Sequence, residues 1–461
     1  MKNKVFISVV IILSTGLLSV GTCFAGLIPE YSEFTLANGL KVVMVEDHRF
    51  PLVDFRLQFG IGSEADSSRY SGLANLAVQI LREGTSEYPG DLLIEAVDSV
   101  GGILESSADR DGAVISGNFL SRDIKFGLAA LSEMVIRSEP EEADLSRLRR
   151  NAVSRLMQSN SVPEDRLTNT LFEMIYGDEG YGLNPRGSRS GLRRINIDLV
   201  KKFRERYFRP NNAILAVGGD FDGKEVKKII KSLFSEWSGK VKNASPVSIP
   251  IDQDTLRIFI IDSPEAPSTE FVIGRPIGHL DDSESPAVIL LDYILGSSGE
   301  ISRLFRSLVK EQDLATGISS RIHWLKGGGV WEIHGAAAND MAPDAVHGAL
   351  RIIEEIKNIR IPAQELKGAA NFFRGVVPMY FESPSTTLKQ LTWLYGLGLK
   401  FDYNETMLKT IDSVDPAALK QAARKDLDFN KWTIIIIGPE VSVKSGLMDL
   451  GPVELLTADD N

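Results

Sequence analysis

Cysteine is nearly missing from this chain of 461 residues: Cys23 is the single one. That excludes a disulfide framework and leaves burial to stabilise the fold, for which the length is ample. Thiolate metal sites and cysteine nucleophiles have no residue to use once the first two dozen residues are set aside. Histidine is scarce as well. His48, His279, His323, His334 and His347 are the complete set, and no two of them form an H-x-x-x-H pair. Positive charge is in deficit, with 51 Lys and Arg against 62 Asp and Glu and a net charge of −11. An acidic chain is a poor partner for nucleic acid, whose binding rests on Lys and Arg neutralising phosphates. No G-x-S-x-G elbow, P-loop, dinucleotide fingerprint or EF-hand loop occurs. Past the N-terminus, no stretch is apolar for long enough to cross a bilayer.

What is present is ordinary for a globular protein, with 43% hydrophobic and 25% charged residues. The exception is the first segment. Lys2 and Lys4 precede an apolar run from Val5 to Val20, and small residues follow at Cys23 and Ala25. This pattern predicts a signal peptide over residues 1–25, cleaved before Gly26, and an exported, periplasmic protein. An uncleaved anchor or a lipidated Cys23 is the alternative, and Thr22 is a poor residue just before a lipidated cysteine.

The remaining chain reads as two halves of one plan. The first opens with strand patterns in "NGLKVVMVED" (38–47) and "PLVDFRLQFG" (51–60), becomes helix-rich, and closes on a strand in "FRPNNAILAVGGDFD" (208–222). The second opens with "DTLRIFIIDSP" (254–264) and "TEFVIGRP" (269–276) and closes with "NKWTIIIIGPE" (430–440). Polar, Ser- and Pro-containing sequence lies between them. The expected organisation is an N-terminal domain over 26–240, a linker over 241–253 and a C-terminal domain over 254–461. An internal duplication is the simplest account.

The most informative stretch is "SGLANLAVQILREGT" (71–85). Leu73, Leu76, Ala77, Ile80 and Leu81 form one apolar helical stripe, with Ser71 placed to cap the start and Gly84 to end it. Asn75, Val78, Gln79 and Arg82 share the opposite face. The i, i+4 spacing of Asn75 and Gln79 would suit a pair of zinc-binding histidines, but both are neutral amides and Val78 cannot take up a proton.

This segment resembles the inverted H-x-x-E-H helix of the pitrilysin–insulinase family of zinc peptidases. The likeness extends through "FTLANGLKVVMVED" (34–47), "YGDEGYGLNPRGSRSGLRRI" (176–195), "FRERYFRPNNAILAVGGDFD" (203–222) and "ILGSSGEISRLFRSLVKEQDLATGISS" (294–320). It implies an α+β fold of two homologous domains, each a mostly antiparallel sheet of about six strands with helices on one face, clasped around a chamber. By the same resemblance, Asn75 and Gln79 stand in place of the two histidines and Val78 in place of the catalytic glutamate. The third zinc ligand, a glutamate, falls where this chain has Arg155 or Leu156. No metal and no cofactor are therefore expected.

Other positions follow from the same likeness. In paired members, the subunit without the zinc motif supplies an Arg and a Tyr; Val309 and Thr316 stand there, with Lys310 one position on. The family's substrate-holding edge strand corresponds to "GGILESSADRDGAV" (101–114), which places Glu105, Ser106, Ser107 and Ala108 as candidate peptide-binding residues. Backbone pairing needs no particular side chain, so peptide binding can survive; an edge merely blunted by Glu105 and Asp109 is the other reading. His323 and His334 flank a hairpin around Gly327–Gly329, with no evident third ligand beside them. The expectation is a catalytically inactive homologue that pairs with an active zinc-bearing one as a heterodimer. A peptide-binding chaperone or sensor is the alternative, and an active peptidase with an atypical site the least favoured.

Overall fold

In the computed structural model the described residues are 26–242, 248–358 and 361–456, so the expected signal peptide lies outside them, as does part of the expected linker. The longest apolar runs of the sequence become the interior strands of two sheets. "AILAVGG" forms Ala213–Gly219 and "TIIIIG" forms Thr433–Gly438, and every residue of both is buried. A strand covered on both faces needs such a continuous run rather than an alternating one.

The first sheet contains β1 (Ser32–Thr35), β2 (Lys41–Glu46), β3 (Leu52–Phe59), β4 (Ile103–Ala108), β5 (Ala113–Leu120) and β6 (Ala213–Gly219). The second contains β7 (Arg257–Asp262), β8 (Thr269–Ile277), β9 (Gly317–Leu325), β10 (Gly328–Ala337), β11 (Thr433–Gly438) and β12 (Val453–Leu456). Their orders are β1-β2-β6-β3-β5-β4 and β12-β7-β11-β8-β10-β9. The four pairings inside the outer strand correspond one to one, including a single parallel neighbour, β2 with β6 and β7 with β11. One packing detail repeats as well. A Cβ added to Gly117 would lie 2.3 Å from Phe55, and one added to Gly335 would lie 2.2 Å from Phe271. In both sheets a phenylalanine lies flat over the glycine opposite it on the neighbouring strand. The outer strand differs: β1 precedes β2 and pairs antiparallel, whereas β12 comes from the end of the second half and pairs parallel with β7.

Each sheet carries the helices of its own half on one face, forming two large cores. The other face is covered by one helix of the opposite half. Leu167, Leu171, Phe172 and Ile175, from the helix Pro163–Tyr176, pack on Phe259, Ile261, Val272, Ile435 and Ile437 of the second sheet. Reciprocally, Leu388, Leu391 and Leu394, from the helix Pro384–Gly396, pack on Val43, Val45, Ile214 and Ala216 of the first. Each such leucine contributes about 2 kcal/mol through burial. The halves are thus fastened by an exchange of helices.

Candidate functional site

The stretch 71–85 folds as a short helix, Leu73–Gln79, continued by a tighter turn over Ile80–Arg82. Its apolar stripe is buried in the first core as the periodicity predicts. The start differs from expectation. Ser71 does not cap it; Gly72 takes a left-handed conformation (φ 97°), open to a residue without Cβ. The buried Asp66 instead accepts the Gly72 and Ala74 N–H groups at 2.8 and 2.9 Å. Burial pushes the Asp66 carboxyl up to about 7, against the pull of those backbone donors. A carboxylate seven residues before the helix has no sequence signature as a cap.

On the opposite face, Gln79 donates from Nε2 to Asn75 Oδ1 at 2.8 Å. The same oxygen accepts the Ala108 N–H of β4 at 3.2 Å. The two amides thus latch each other and the open edge of the sheet. Val78 is fully buried. β4 is the last strand of its sheet, and along it Leu104, Ser106 and Ala108 turn their backbone groups away from β5. Asn75 takes the Ala108 N–H, and Arg82 reaches the Leu104 carbonyl at 3.5 Å. Ser106 lies between them, and its buried Oγ has no partner.

A cavity of about 530 Å³ opens against this edge. Asn75, Gln79, Ser106, Ser107 and Ala108 line it from the first half, together with Arg155 of the helix Glu142–Asn160. Of the two residues that the sequence left open, Leu156 is buried and Arg155 lines the cavity. Arg321 and His323 of β9 close it from the second half. Glu105 is not among this group. Strand alternation turns it to a separate hollow of about 240 Å³, beside Arg56 and Lys389. Val309 and Thr316 also stand apart from the cavity. Val309 packs against the second core, and Thr316 bonds to the Ala336 carbonyl at the end of β10.

Under the cavity lies a residue the sequence reading passed over. Glu332 on β10 is fully buried and accepts from His323 Nε2 at 2.7 Å and from the Arg321 guanidinium. His334 Nε2 lies 3.3 Å from the same oxygen, and Thr168 of the exchanged helix 3.2 Å from that nitrogen. His323 and His334 are not cross-strand partners; they pair with Val330 and Ser319, and Glu332 sits between them on the same face. Burial opposes the charge on Glu332, yet the hydrogen bonds from the two histidines outweigh it and hold the carboxyl well below the usual range. Alternation in "HWLKGGGVWEIH" was the available signal: Glu332 and His334 are two apart, so they share a face.

At the far end of the cleft the hairpin tips of the two sheets meet. Asp111 accepts the Tyr181 hydroxyl and the Lys326 N–H, the latter at 2.7 Å. Burial lifts Asp111 to about 6 and nearby Glu64 to about 8.

With this geometry in place, the comparisons agree with it. Residues 41–186 match the family model described as Insulinase (Peptidase family M16), and residues 194–372 match the Peptidase M16 inactive domain. The chain belongs to the M16, insulinase-type peptidase family. Among its relatives is the non-peptidase homolog YmxG of Helicobacter pylori, 21% identical, with 86% of this chain and 91% of that protein aligned. The crystal structure of a peptidase M16 inactive domain from Pseudomonas fluorescens superposes with a TM-score of 0.82 at 21% identity, covering 90% of this chain and 99% of that one. The first half of the periplasmic protease PqqL from Escherichia coli gives 0.76 at 16% identity, covering 92% and 96%. The expected fold of two like α+β domains is therefore what is found.

The family's zinc does not fit the residues present. Asn75 Oδ1 already accepts two hydrogen bonds, Gln79 turns its Nε2 to that oxygen, and the third corner holds a guanidinium. Amides and a cation are poor company for a divalent metal. Among the described residues no three His, Cys, Asp or Glu side chains are grouped so as to hold a metal ion.

Proposed function

We propose that this protein is a non-catalytic M16 homologue that holds extended peptides in the cleft between its halves without cutting them. The observation that carries the reading is the cavity against the open edge of β4, kept while the family's ligand and base positions hold Asn75, Val78, Gln79 and Arg155. A peptide laid along β4 would find the Ser106 N–H and C=O unpaired and the Ser106 hydroxyl beside them. The signal-peptide pattern, and a fold shared with a protein described as periplasmic, support a periplasmic site of action. No helix of the described residues is long and apolar enough to cross a membrane.

The test is direct. Purified protein should bind labelled unstructured peptides saturably, leave them intact, and do so equally with and without a chelator. Absence of binding at high micromolar peptide would end this reading, and chelator-sensitive cleavage would replace it with an active enzyme.

A second reading is a non-catalytic subunit docked to an active, zinc-bearing homologue. An intact frame around a site stripped of its reactive groups favours it, since a held peptide then needs another chain to act on it. Copurification should return an H-x-x-E-H protein in near-equal amount; repeated recovery of this chain alone would count against it.

A further inference from the structure

The charges lining the cavity are not balanced in the way its acidic surroundings would suggest. Asp109 accepts the Asp111 and Gly112 N–H groups of its own turn. Asp165 accepts from Ser159 and Arg186, and Arg321 is held by Glu332 and Glu164. Two cations remain without a carboxylate in ion-pair contact. Arg110 spends its hydrogen bonds on the Tyr181 carbonyl and Asn169, with its guanidinium 3.6 Å from the centre of the Phe172 ring. Arg155 is exposed, and no described residue bonds to it. In the lining of the same cavity, the Asn75 amide has its oxygen committed and its Nδ2 free, and the buried Ser106 Oγ lacks a partner. In a chain of net charge −11, an unpaired cation grouped with unpaired donors marks the place where an anion is accepted.

We infer that the cavity recognises a carboxylate carried by the bound peptide, seated on Arg155 and hydrogen-bonded by the Asn75 amide and Ser106. This rests on the peptide-holding reading above and adds the chemistry of the ligand to it. The carboxylate is either the peptide's own C-terminus or an acidic side chain, since both present the same pair of oxygens to a guanidinium.

The experiment measures binding of one labelled, unstructured decapeptide in four forms: free acid or amide at the C-terminus, and Glu or Gln at one internal position. The full-length mature protein is compared with Arg155→Ala and Arg155→Lys. Arg155 is exposed and unpaired, so both variants should melt with the wild type. One carboxylate form should bind the wild type about tenfold more tightly than its neutral counterpart. The C-terminal pair and the Glu/Gln pair show which source is read. Arg155→Ala should erase that preference by weakening the carboxylate forms to the level of their neutral counterparts, and Arg155→Lys should retain part of it. Equal affinity of the wild type for all four forms would overturn the inference and leave peptide holding intact. A preference that persists in Arg155→Ala would also overturn it. No binding of any form would remove the underlying reading as well.

Discussion

The two sheets present equivalent faces to the opposite half, and the faces differ in kind. On the first, the exchanged helix meets mainly hydrocarbon, Leu388, Leu391 and Leu394 on Val43, Val45, Ile214 and Ala216, with one polar contact, Arg56 Nε donating to Thr392 at 3.0 Å. On the second, similar leucines are joined by an ionic group, with Glu332 beneath Arg321, His323, His334 and Thr168. The shared glycine–phenylalanine pairing places Val114 of β5 where β10 has Glu332, three residues before Gly117 and Gly335 respectively. A fully buried carboxylate is therefore not required for this kind of joint. The charged version borders the cleft, and its cost in desolvation points to a positioning task for Arg321 and His323, which line the cavity.

The largest effect should come from breaking this contrast at its centre. Glu332→Ala removes the buried acceptor that a guanidinium and two imidazoles share, leaving Arg321 only Glu164, and should cost about 3–5 kcal/mol in denaturant melts. Val114→Ala, at the equivalent position, should cost about 2 kcal/mol. Equal losses would show that the ionic group adds nothing beyond packing. Next come the helices themselves. Leu171→Ala and Leu391→Ala remove fully buried side chains from the two joints, and each should cost roughly 3 kcal/mol. A much smaller loss at Leu171 would mean that the charged joint is held by its ions.

Acidity sharpens the comparison further. Asp66, Asp111 and Glu64 have folded values raised to about 7, 6 and 8, so the native state holds their protons longer than the unfolded chain. Their contribution is complete below about pH 4 and is lost as pH rises toward about 8. Glu332 is shifted the other way, so its contribution is present above about pH 4.5 and lost below it. From these four groups melting temperature should therefore peak near about pH 4 and decline steadily toward about pH 8. With Glu332→Gln the acid-side loss should shrink while the alkaline-side decline stays.

The smallest effect concerns the latch. Asn75→Ala frees the Ala108 N–H and should cost about 1 kcal/mol. It should also speed hydrogen exchange at Ala108. Unchanged exchange there would show that Asn75 does not hold the edge.

Residues with strong apolar patterns were legible in the sequence, and those whose meaning depends on a distant partner were not. The runs that became β2, β3, β6, β7, β8 and β11 were recognisable, as was the stripe of the 71–85 helix. β1 and β12 were missed because four half-exposed residues carry no periodic signal. The exchange of helices was hidden because an amphipathic helix shows that it has a face to bury, not which sheet receives it. Asn75 and Gln79 were placed by the family likeness of their segment, while seeing that Arg155 and not Leu156 reaches the cavity needed the structure. Glu332 was within reach of strand alternation, but only its burial shows that it organises both histidines.

The exchanged helices also set an order of events along the chain. The inward face of the first sheet is complete once residue 219 has been made, yet its cover, Pro384–Gly396, follows only after most of the second half. Until then Val43, Val45, Ile214 and Ala216 face solvent. A chain exported N-terminus first would cross this interval with a sticky sheet uncovered, so its early half should depend on a holding chaperone. Expressed without its successor, that half should aggregate; two fragments divided in the linker and produced together should assemble.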